Sequence, residues 1–93
     1  MIVKHMLDVV MDGIKDTQMI AEYAQEAARS GESHEVTDWF AARAKTRMSH
    51  LERDWKDVRE ELEDRKHDGE LLDALACHVE HSIAELRAKV EKL

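Results

Sequence analysis

The stretch HEVTDWFAARAKTRMSHLERDWKDVREELEDRK, His34 to Lys66, runs for 33 residues without glycine or proline. Drawn as one α-helix at 1.5 Å per residue, it reaches ~50 Å. Within it Ala41, Ala44, Met48, Leu51, Trp55, Val58 and Leu62 recur at alternating steps of three and four, with Phe40 widening the front of the stripe. That spacing builds one apolar face on a helix and fits no strand.

The rest of this surface is charged. Glu52/Lys56 and Glu61/Arg65 place the acid one turn before the base, the favourable order, and Arg53/Asp57, Lys56/Glu60 and Arg59/Glu63 add reversed pairs. Each pair contributes only ~0.2–0.5 kcal/mol. Packing of the apolar stripe against partner helices must therefore supply most of the stability.

The flanking sequence provides two such partners. From Ile2 to about Arg29 the positions Val3, Met6, Val10, Gly13, Thr17, Ile20, Ala24 and Ala27 alternate in the same way, and from about Glu70 to residue 92 so do Leu72, Ala76, Val79, Ile83, Leu86 and Val90. Gly31 is suited to end the first helix and Ser33 to cap the second. His67, Asp68 and Gly69 make a second short connection. Helices at about 2–29, 34–66 and 70–92 joined by such short links predict an all-α, antiparallel up-down-up three-helix bundle with a long central helix, a single domain over residues 1–93.

Composition narrows the function classes. The chain has no proline, three glycines, 38% charged residues and a net charge of −7. A negative chain with its bases interleaved among acids is not expected to bind nucleic acid, which needs clustered Lys and Arg. The short basic band Arg43, Lys45, Arg47 and Arg53 is expected to meet Asp16, Glu22 and Glu26 of the first helix. A single cysteine, Cys77, fits a reducing, cytoplasmic setting and is expected to be a buried free thiol. Asp8 and Asp12 interrupt the apolar N-terminal run, so neither a signal peptide nor a membrane span is expected there.

That N-terminal run has more apolar surface than one seam uses. Leu7, Val9, Met11 and Ile14 fall outside the stripe, and Trp39 lies off the seam of the central helix. Three helices cannot cover all of these, so the bundle is expected to be completed by homo-oligomerisation, by default as a two-fold dimer. Leu7, Val9, Met11 and Trp39 are the expected interface.

Counting outward from the connections sets Asp16 near Arg47, Asp12 and Gly13 near His50 and Leu51, Asp54 near His81, and His50 near Glu85. Asp12/Asp16, His50/Asp54 and His81/Glu85 are each spaced i,i+4, so both members of a pair share a helix face. Carboxylates and imidazoles brought together at mid-bundle are the ligand types that iron or manganese sites use. This makes Asp12, Asp16, His50, Asp54 and His81 candidate metal ligands. Salt bridging of Asp16 by Arg47, with the histidines hydrogen-bonded at the edge of the core, accounts for the same residues without a metal.

The run Asp16 to Leu51, with Asp16 and Tyr23, a short glycine-containing turn, the pair Trp39–Phe40, small residues and then His50–Leu51, resembles the first helical hairpin of the ferritin-like and rubrerythrin-like proteins. The resemblance covers about a third of the chain. It implies that Asp16 matches the first ligand carboxylate and His50 the histidine of the Glu-x-x-His motif, and that a short chain completes its metal site by dimerising. The glutamate of that motif is replaced by Arg47, a cation that cannot ligate a metal.

No glycine-rich phosphate loop, dinucleotide fingerprint or activated nucleophile is apparent in the sequence. The expectation is a non-enzymatic homo-oligomeric scaffold or protein-interaction module. The alternative is a divergent ferritin-like protein holding iron or manganese among the carboxylates and histidines named above.

Overall fold

The computed structural model describes residues 2–64 and 69–93, with side chains described for residues 5–64 and 73–93. It is all-helical: α1 spans Ile2–Arg29, α2 His34–Asp64 and α3 Gly69–Glu91. No strand occurs among the described residues. The molecule is a rod of 52 × 18 × 16 Å, about the length that the 31 residues of α2 reach at 1.5 Å each. The expected second connection at His67 and Asp68, the Glu61/Arg65 pair, and the parts of Val3 and Leu72 in their seams lie outside the described residues and side chains.

The turn between α1 and α2 follows from Gly31, which sits at φ 75°. In that left-handed conformation its N–H donates to Ala28 O at 3.4 Å, and the N–H of Glu32 donates to Ala27 O at 3.0 Å. These two bonds occupy carbonyls that a helix end otherwise leaves open. Ser33 then starts α2, its Oγ accepting from the Val36 N–H at 3.4 Å. One residue without a Cβ thus ends α1 and one hydroxyl starts α2, within four positions.

Packing of α2 follows its stripe: Ala41, Ala44, Met48, Leu51, Trp55 and Val58 are buried, with Leu62 partly covered. In α3 the buried residues are Val79, Ile83, Leu86 and Val90. On α1 the buried set is Val10, Ile14, Thr17, Ala21, Ala24 and Ala27. Ile14, expected outside the seam, is therefore core, and Leu7 and Met11 pack partly against the core instead of lacking intrachain cover. The cause is a second stripe: Leu7, Met11 and Ile14 lie toward the side of α1 that carries Glu22, and Glu22 Oε1 accepts from Lys89 Nζ of α3 at 3.5 Å. Of the expected surplus on α1 only Val9 stays largely open, at 45% exposure.

Close approach of α1 and α2 rests on small residues. Ala21 and Ala44 are fully buried, and a Cβ on Gly13 would lie 3.2 Å from Leu51 Cδ1. These two helices share the most extensive contact, and α3 touches each of them less. Ion pairs on the surface help hold α3 in place: Arg59 with Glu80 at 2.8 Å, Arg87 with Glu52, and Lys89 with Glu22. Exposed pairs of this kind contribute about 0–1 kcal/mol each, so the apolar stripe of α3 carries most of its attachment.

Candidate functional site

The acids and histidines singled out in the sequence stand on the outside of the molecule. Asp12, Asp16, His50, Asp54 and His81 are all exposed. Among the described residues no three His, Cys, Asp or Glu side chains are grouped so that they could hold a metal ion. His81 Nε2 lies 2.9 Å from Glu85 Oε1 on the outer face of α3, away from the buried Val79 and Ile83. The counted register is also displaced between α2 and α3: the pairs Glu52–Arg87 and Arg59–Glu80 put Asp54 level with Glu85, one turn from the expected His81.

Between α1 and α2 the counted levels agree with the contacts, since Gly13 meets Leu51. Asp16 and Arg47, however, are both exposed, and among the described residues no ion pair joins them. Cys77 is a free thiol but exposed, not buried. It follows Ala76 by about 100° on α3 and so turns off the buried stripe. Trp55 is the one described residue with a buried side-chain polar atom lacking a hydrogen-bond partner, its Nε1. It lies beside a shallow surface recess lined by Arg59, Glu80, Ile83, Ala84 and Arg87.

Apolar exposure gathers near the turn between α1 and α2. Trp39 is 60% exposed and Tyr23 52%, with Val36 also open. The rings of Tyr23 and Phe40 lie 5.8 Å apart and those of Trp39 and Phe40 meet edge to face at 5.1 Å. Such ring pairs contribute ~0.5–1.5 kcal/mol beyond their burial, which holds a mostly exposed aromatic group in one arrangement. Arg43 sits 6.0 Å over the Trp39 ring, at the outer limit of a cation–π contact. Two shallow depressions flank the group, one lined by Glu35, Val36, Trp39 and Phe40, the other reaching Tyr23, Glu26 and Ala27.

A third groove lies farther along the same two helices, lined by His5, Met6, Val9, Asp54, Asp57 and Val58. The sequence points to Val9 and Trp39 as contact residues, while Tyr23 and the pair Trp39–Phe40 enter it only as marks of the ferritin-like resemblance and not as one exposed group. A signal for it is present: Tyr23 and Phe40 are equally far from the turn on either side.

No helix among the described residues is long and apolar enough to cross a membrane. No family model, curated protein or solved structure matches the chain.

Proposed function

We propose that the chain is a non-enzymatic helical interaction module, an antiparallel up-down-up three-helix bundle that associates with itself through apolar surface on α1 and α2. The observation carrying this reading is the aromatic group Tyr23, Trp39 and Phe40, held together by ring contacts while Tyr23 and Trp39 remain more than half exposed. Tryptophan and tyrosine are the side chains that most often dominate binding when a partner covers them. The pairings Gly13–Leu51 with Tyr23–Phe40, and Glu52–Arg87 with Arg59–Glu80, support the antiparallel order, because within each set moving forward along one helix moves the partner backward along the other.

Sedimentation at micromolar concentration is expected to give a dimer. Val9→Asp is expected to weaken association at least tenfold, about 1.4 kcal/mol, with helix content unchanged because Val9 is already half open. A wild-type chain that sediments as a monomer up to 100-fold higher concentration would overturn the proposal.

A further inference from the structure

The exposed side of α1 and α2 carries a ladder with a seven-residue period. Val9, Asp16 and Tyr23 follow one another on α1, and Phe40, Arg47 and Asp54 on α2. Seven residues are close to two helical turns, so each set shares a face. The rungs are level: Tyr23 meets Phe40, Val9 and Asp54 line one groove, and Asp16 and Arg47 lie midway between those rungs.

This side is not the one α3 occupies. Through Glu22, Glu52 and Arg59 α3 takes the opposite flank, roughly 100–160° around each helix from the ladder residues that lie nearest those anchors. Neither Asp16 nor Arg47 has an ion-pair partner among the described residues.

We infer that a second copy of the chain docks on this ladder about a two-fold axis parallel to the helices, which deepens the self-association proposed above and rests on it. That axis sets α1 of each copy against α2 of the other at the same level. Tyr23 then meets the partner's Phe40, and each Asp16 stands between two Arg47 side chains, its own chain's and the other's. The result is a square of alternating charge at the centre of a four-helix contact. A two-fold perpendicular to the helices would instead set Asp16 on Asp16 and Arg47 on Arg47, and opposed like charges select against it.

Size permits the proposal. The rod is 52 Å long, and the ladder from Val9 to Tyr23 takes up about 21 Å of it at 1.5 Å per residue. Contact continuing beyond the ladder is needed to reach the ~800 Å² per partner of an ordinary specific interface, and the length of α1 and α2 leaves room for it.

The test uses the full chain with Cys77→Ser. Asp16→Lys and Arg47→Glu, each alone, put four like charges at the centre and are expected to weaken the dimer at least tenfold. An equimolar mixture of the two variants is expected to recover dimer of mixed composition. Circular dichroism checks that both exposed substitutions leave the fold intact. Independently, spin labels on Ser30→Cys in the otherwise unaltered face are expected within roughly 30 Å of each other, since the helices of one bundle pack 8–10 Å apart. A dimer whose labels stand near the 52 Å length of the rod, or one indifferent to both charge changes, would overturn this axis and leave self-association standing. A chain that remains monomeric would sink both.

Discussion

Trp55→Ala is expected to lower the unfolding free energy by about 3–5 kcal/mol, the range for deleting a large aromatic from a core. Trp55 is 7% exposed and belongs to the cluster that includes Leu51, Val58, Val79 and Ile83, so its removal opens a cavity where α2 receives α3. A chain of this length has ~5–14 kcal/mol in total. The melting temperature should therefore fall by roughly 12–40 °C, at 4–8 °C per kcal/mol for a domain of this size, with protein concentration held fixed because association adds to apparent stability. Trp55→Phe separates the two parts of the effect. It keeps most of the packing and removes the indole N–H that has no partner, a group whose burial costs ~1–3 kcal/mol. Its loss should be well under half that of the alanine variant. Equal losses in denaturant titrations of the two variants would show that the indole N–H is not a liability in solution.

The second large effect is expected at the close approach of α1 and α2. Ala44→Leu adds three carbons where both Ala44 and Ala21 are completely buried, and overpacking of this kind costs about 1–3 kcal/mol. Alanine and leucine differ little in helix propensity, so the loss reports helix separation and not a weaker α2. Met48→Leu, nearly volume-neutral one turn away, should cost less than about 1.5 kcal/mol. Denaturant midpoints for the pair measure the contrast; an Ala44→Leu variant as stable as wild type would mean that the helices are not held at alanine distance.

The seam of α2 is legible because a long charged helix leaves its apolar positions nowhere else to go: every member from Ala41 to Val58 is buried. On α1 the same rule under-reads the core. Ile14 and Ala21 are buried although the counted seam passes over them, because α1 is apolar around much of its circumference and packs against two neighbours, so a single stripe does not describe it. For the charged residues, spacing correctly puts Asp12 with Asp16 and His50 with Asp54 on shared faces. It carries no information on whether that face turns inward, and the exposure of all four is decided by the stronger apolar stripe on the other side. The level of α3 against α2 differs from the counted one by about a turn, as the pairs Glu52–Arg87 and Arg59–Glu80 indicate, because sequence counting carries no information on how far one helix slides along its neighbour.

The lesser contact of α3 has a consequence for the order in which the molecule comes apart. With 23 residues against the 31 of α2, α3 is tied by one apolar stripe and by surface charge pairs that salt screens. Ala21, Ala24, Ala41 and Ala44 are buried on α1 and α2, so amide exchange is expected to be faster on α3 than on these two helices. Loss of α3 is expected to uncover the part of the core that Val79, Ile83, Leu86 and Val90 fill beside Trp55. A neighbouring chain's α3 carries the same stripe, so at high concentration exchange of this element between molecules is the expected mode of misassembly.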